Sequence, residues 1–172
     1  MISCDKGVLP SRRRLAMLGR MTAPHAPTSP QLRMDASALN DFLARAFPAT
    51  PADQLPKVGE IEPGRVLIAS RTSERSLRPG GVISGPTLMG LADAAAYTLI
   101  LGHIGEVAMA VTTSLNIHFL RPCKPGELIA EGRLLRLGRR IATVEVLLWT
   151  EGRDRPAAHA TVAYAIPDGA AV

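Results

Sequence analysis

Residues 84–101 read SGPTLMGLADAAAYTLIL, and Asp93 is the only charged side chain between Pro79 and Gly102. Ser84, Gly85 and Pro86 mark a helix start, because proline's missing N–H costs nothing in the first turn. The helix is expected to end near Gly102 to Gly105. A helix apolar on nearly every side needs cover over most of its surface. Asp93 has Met89, Gly90, Ala96 and Tyr97 as its neighbours three and four residues away, so no ion pair within the helix offsets its burial. A buried carboxylate is expensive unless paired or hydrogen-bonded. Asp93 is therefore a candidate general base or nucleophile. An aspartate facing solvent, or capping a neighbouring loop, is the plainer reading of the same residue.

The chain after the helix supplies the cover. In residues 107–121, VAMAVTTSLNIHFLR, Val107, Met109, Val111, Thr113, Leu115, Ile117 and Phe119 alternate with Ala108, Ala110, Thr112, Ser114, Asn116 and His118. That period of two predicts a strand with the second set on one small-residue face. The turns PCKPGE, GRR and GRDRP lead to three more strand-like runs, LIAEGRLLRL, IATVEVLLWTE and AAHATVAYAI. Connections this short demand antiparallel neighbours. Ahead of the helix, VGEIEPGRVLIASRTSE reads as two strands about a Pro63–Gly64 turn, and RSLRPGGVIS as a loop. Residues 35–47 predict a short amphipathic helix, with Leu39, Phe42, Leu43, Ala46 and Phe47 on one stripe and Pro48 as its stop. The expected class is α+β: a long central helix wrapped by a curved antiparallel sheet whose open edge favours self-association.

Charge narrows the partners. The net charge of +5 is concentrated at the start, where Lys6, Arg12, Arg13, Arg14, Arg20 and Arg33 face only Asp5 and Asp35. The rest is nearly balanced, so no nucleic-acid surface is expected on the folded body. Residues 1–33 turn from basic to Pro-rich without periodicity and are expected to be a disordered tail. Met34 reads as a fresh start, and a single domain is expected over residues 34–172, with its core in 58–167. No apolar run is expected to reach the ~20 residues of a membrane span. Cys4 and Cys123 lie far apart without a metal or disulfide pattern, which fits a reducing, cytoplasmic location. Neither a metal-ligand set nor a Ser-His-Asp order is present.

GGVISGPTLMGLADAAAY, TTSLNIHFLRP and LLRLGRR, in this order, resemble the hotdog-fold acyl-CoA thioesterases of the phenylacetic-acid-degradation (PaaI-like) group, over roughly Val58 to Pro167. The resemblance implies a hotdog fold and hydrolysis of an acyl-CoA thioester to free acid and coenzyme A. It implies no cofactor beyond the coenzyme A of the substrate, and a homodimer or dimer of dimers that shares each site between subunits. Asp93 becomes the catalytic carboxylate, the Gly85 N–H the donor to the thioester carbonyl, and Thr112 the residue that positions the attacking water. A free N–H at a helix start, aided by the helix dipole, suits a developing oxyanion. Ser84, Thr87, Arg78 and Asn116 are expected to contact substrate. Arg121, Arg136, Arg139 and Arg140, with Lys124 beside them, are expected to hold the phosphates of coenzyme A. Met89, Tyr97, Leu115 and Ile117 are expected to line the acyl pocket. Where the family's loop reads His-Gly-Gly, this chain has Ser84, Gly85 and Pro86, and Arg78 stands where an Asn often precedes the loop. These departures keep open a second reading, an acyl-CoA-binding protein without turnover that acts as a sensor or carrier partner. A dehydratase or hydratase would need a histidine at the helix start or on the preceding strand, and none is there.

Overall fold

Ser84 starts the long helix as expected. Its hydroxyl accepts the Thr87 N–H at 3.4 Å, and the helix, α2, runs from Gly85 to Ile104. It stops at Gly105, whose φ of 85° favours glycine. At 20 residues α2 is long and apolar enough to cross a membrane, longer than the run expected from the sequence. Most of it is instead buried in the protein's own core, with Ala92, Ala95, Ala96, Leu99 and Ile100 fully enclosed.

This computed structural model describes residues 31–169. Before α2 come α1 (Ala36–Ala46), β1 (Lys57–Glu62), β2 (Arg65–Arg71), and the two-residue strands β3 (Leu77–Arg78) and β4 (Val82–Ile83). After it come β5 (Val111–Phe119), β6 (Glu127–Leu137), β7 (Ile141–Trp149) and β8 (Ala158–Ala165). The stretch expected as a plain loop therefore holds a small β3–β4 hairpin, preceded by a 3-10 turn at Glu74–Ser76. The main sheet has six strands in the order β1-β2-β6-β7-β8-β5, all antiparallel, so the turn PCKPGE does not join neighbours as expected: β5 pairs with β8 at the edge, and β6 with β2 and β7.

α2 packs against β2, β5, β6, β7 and β8, so the sheet curves around it, as in the hotdog fold that the resemblance implies. The inner face is built from alternate residues: Ala142, Val144, Val146 and Leu148 of β7, and Ala158, Ala160, Val162 and Tyr164 of β8, all buried. Asp35 caps α1 by accepting the Ala38 N–H at 2.8 Å. Asn40 then pins α1 to β1, its amide giving to the Val58 carbonyl and accepting the Val58 N–H at 3.0 and 2.9 Å.

On the outer face, Glu131 is only 1% exposed. Arg133 and Arg153 donate to it at 2.6 to 2.9 Å, and Arg65 at 3.4 Å. The Arg153 hydrogen bond leads in holding its carboxyl down to about 2, against the opposing effect of burial.

Two expectations about residue placement change. Residues 107–110 are not strand; β5 begins at Val111. A β-bulge then falls between Thr112 and Ser114: Thr112 lies opposite Tyr164, yet Ser114 lies opposite Ala163. The extra residue reverses the alternation. Thr112 faces inward together with Leu115, Ile117 and Phe119, which sit opposite the buried Val162, Ala160 and Ala158. Asn116 and His118, paired with Thr161 and His159, face outward. The small-residue face read from the sequence is thus split in two.

The second change concerns the tail. Residues 1–30 lie outside the described residues, but 31–33 do not. The Arg33 and Met34 N–H groups donate to the Gly102 carbonyl at 2.7 and 3.2 Å. They fill an acceptor that the last turn of a helix leaves open.

Candidate active site

Asp93 sits on α2 where the helix meets the β5–β8 edge of the sheet. Thr112 Oγ1 donates to Asp93 Oδ1 at 2.7 Å. Tyr164 donates to the same oxygen at 2.8 Å, with a longer approach to the Asp93 carbonyl at 3.3 Å. The bulge at Thr113 makes this meeting possible by turning Thr112 inward beside Tyr164. Desolvation, with the Asp93 charge adding to it, pushes the Tyr164 hydroxyl far above its ordinary value, so it stays a donor. The carboxylate that has no partner on its own helix is held by two hydroxyls from two strands.

Asp93, Thr112 and Tyr164 border a cleft of about 600 Å³. Its walls come from α1 (Leu43), the segment after it (Phe47, Thr50, Gln54, Leu55, Pro56), α2 (Gly90, Ala94, Tyr97) and the approach to β5 (Ala108, Ala110, Val111). Asp93 is the only one of these lining residues with a side chain charged at neutral pH. Tyr97 stacks on Tyr164, with ring centroids 5.9 Å apart, and donates to the Ala108 carbonyl at 3.2 Å. Of the acyl-pocket residues named from sequence, Tyr97 lines this cleft, whereas Met89, Leu115 and Ile117 do not.

Gly85 stands eight residues from Asp93 on the same helix, a rise of about 12 Å. Within one chain the two cannot act on one carbonyl group. Its N–H is the unused donor of the first turn among the described residues. Pro86 has none, Thr87 gives its N–H to Ser84 Oγ, and Leu88 gives its own to the Ser84 carbonyl. A Cβ at Gly85 would lie 3.2 Å from the ring of Phe119, which covers this end of the helix. Ser84 and Thr87, expected at substrate, spend their hydroxyls internally: they bond each other at 2.9 Å, and Thr87 gives to the Ser76 carbonyl at 3.1 Å. Arg78 is exposed on the β3–β4 hairpin. Asn116, on the outer face, does not join Asp93 and Thr112.

The basic residues do not form one cluster. Arg136, Arg139 and Arg140 lie at the β6–β7 turn, near the Ala165 end of β8, and Arg140 pairs with Asp168 at 2.9 Å. Arg121 and Lys124 lie at the other end, where the Arg121 N–H meets the Ala157 carbonyl and Lys124 pairs with Glu151 at 2.8 Å. The eight residues of β8 separate the ends, a span of about 26 Å. Successive strands run in opposite directions, so the turn after β5 and the turn after β6 fall at opposite ends of the sheet.

Tyr164 was missed in the sequence. Its signal is the alternation of AAHATVAYAI: the tyrosine falls in the buried set, and a buried phenol needs a partner for its hydroxyl. Among the described residues no three His, Cys, Asp or Glu side chains gather as metal ligands.

Comparison with known proteins places the chain in a family. The sequence model of the thioesterase superfamily matches residues 80–157. The Silicibacter sp. protein carrying the name "putative thioesterase" is 36% identical; the match covers 81% of this chain and 96% of that one, with a TM-score of 0.73. The phenylacetic acid degradation protein PaaI of Thermus thermophilus is 27% identical over 66% of this chain and 95% of its own, at a TM-score of 0.58. The "Putative esterase" of Thermoplasma acidophilum is 30% identical over 90 residues, 52% of this chain and 67% of that protein. The chain belongs to the hotdog-fold thioesterase superfamily.

Proposed function

We propose that the protein hydrolyses acyl-CoA thioesters to free acid and coenzyme A, with each active site shared between two copies. The observation that carries this reading is Asp93, a carboxylate anchored by two hydroxyls at the mouth of a mostly apolar cleft. In the proposed step, water attacks the thioester carbon while Asp93 takes its proton. The oxyanion that forms accepts the N–H of Gly85 from the other copy. Collapse breaks the C–S bond, and the proton passes from Asp93 to the departing thiolate. The only cofactor in this scheme is the coenzyme A of the substrate.

The reading of two copies is supported by the separation of about 12 Å between Gly85 and Asp93 along α2 and by β5. This strand ends the sheet order, and Val111 and Phe119 on it are about half exposed. An unpaired edge invites another strand. Antiparallel pairing of β5 with β5 of a second copy would invert the strand ends. The Phe119 and Gly85 end of one copy would then approach the Thr112 and Asp93 end of the other. The same inversion would bring Arg121 of one copy towards Arg136, Arg139 and Arg140 of the other, gathering cations for the phosphates of coenzyme A. A Streptococcus mutans protein of this fold, 23% identical at a TM-score of 0.59, was solved bound to acetyl-CoA, which supports the fold's capacity for such a ligand.

The test is thiol release from a panel of aryl and aliphatic acyl-CoAs, with binding measured in parallel. Turnover of a member of the panel supports the hydrolase. Tight binding with no turnover on any member favours the sensor or carrier reading, which the loss of the family's His and Asn motivates.

A further inference from the structure

Asp93 is held through one oxygen only. Thr112 and Tyr164 both donate to Oδ1, at 2.7 and 2.8 Å, and no described residue bonds Oδ2. The two donors are register partners on adjacent strands, so they approach the carboxylate from one side. Both donors stand on strands of the sheet. Thr112 stands beside the bulge that turned it inward. Tyr164 is 3% exposed and stacked on Tyr97, whose hydroxyl is itself tied to Ala108. A carboxylate clamped at one oxygen cannot rotate to exchange the two, because each rotation would break two hydrogen bonds to a charged group.

We infer that Tyr164 is a positioning residue: with Thr112 it locks Asp93 Oδ1, and so presents Oδ2 alone as the oxygen that takes the proton from water. This rests on the thioesterase reading. It also changes the work of Thr112. The threonine proton is spent on Asp93, so Thr112 orients the base and can meet the water only as an acceptor. Among the described residues no other charged group lines the cleft, so these two donors are the ones that fix the carboxylate.

The full chain is tested on an acyl-CoA that it hydrolyses. Tyr164→Phe keeps the ring and its stacking and removes one donor; Thr112→Val removes the other. Each single variant should lose about tenfold in kcat, the worth of one hydrogen bond to a charged group, with KM changed less than about twofold. The double variant should lose more than the product of the two, because either donor alone still restrains Oδ1 and their joint loss frees the carboxylate. Melting temperatures of the single variants should stay within about 5 °C of the parent. A crystal structure of the double variant supplies a readout independent of turnover: the Asp93 carboxylate should be rotated or spread over several orientations. Wild-type kcat in Tyr164→Phe, a loss confined to KM, or an Asp93 unmoved in the double variant would each overturn the inference. Should the parent hydrolyse no acyl-CoA, the thioesterase reading fails on that measurement, while the crystallographic arm still decides whether the clamp exists.

Discussion

Asp93→Asn separates charge from shape. Asparagine retains the carbonyl oxygen that Thr112 and Tyr164 need, and its amide nitrogen takes the place of Oδ2. As a base, the side chain is lost. Turnover should fall by about 10²-fold or more, the usual cost of removing a general base. Stability can be worked from the contacts. Two donors now bond a neutral acceptor instead of a charged one, which costs about 1 kcal/mol per bond. Asp93 is partly buried, so loss of its charge also removes a desolvation penalty that offsets about half of this. The net loss should be about 1 kcal/mol, or about 4 °C in melting temperature for a domain of this size. A carboxylate without protein partners would have given the opposite sign, a gain on losing its charge. Acyl-CoA affinity should hold or improve. Turnover by thiol release, melting by calorimetry and binding by titration should be measured on one preparation. If turnover persists while stability collapses, Asp93 is structural and the assignment of the base is refuted.

Glu131 predicts a pH dependence of stability. Its carboxyl is held at about 2 instead of the ordinary 4.5, so it adds stability above pH ~5 that is lost as the pH falls towards 2, in all roughly 3 kcal/mol. Glu131→Gln should therefore melt well below the parent at pH 7, with the gap closing by about pH 2; a constant gap would contradict the arginine network as its cause. A chain begun at Gln31 should match the full chain in melting and activity, whereas one begun at Met34 should lose about 1 kcal/mol with the Arg33 N–H; equal melting of the two would dismiss that cap. Charge reversal at Arg139 and Arg140 should weaken acyl-CoA far more than an acyl-pantetheine fragment, as measured by titration. Equal weakening of both would point to a folding defect, since Arg140 also pairs with Asp168.

Local pattern was enough for the long elements, although it left the β3–β4 hairpin as a loop and started β5 four residues early. The uncharged run around Asp93 required a core helix, Pro86 and Gly105 bounded it, and the alternation in three later runs required strands of a single antiparallel sheet. The same run singled out Asp93, because a lone carboxylate among apolar residues needs partners from elsewhere. Who those partners are was decided only by tertiary structure. One bulged residue at Thr113 moved Thr112 to the inner face and left Asn116 on the outer one, and a strict period of two cannot announce a bulge. Tyr164 meets Asp93 from 71 residues away because β8 pairs with β5, a choice set by the packing of the whole sheet. Strand order was likewise settled only there, since the short turn after β5 does not place it beside β6. Periodicity reports which face a residue takes relative to its own neighbours in sequence. Register and strand order are settled by burying all the faces at once, and at that level the two hydroxyls converge on Asp93.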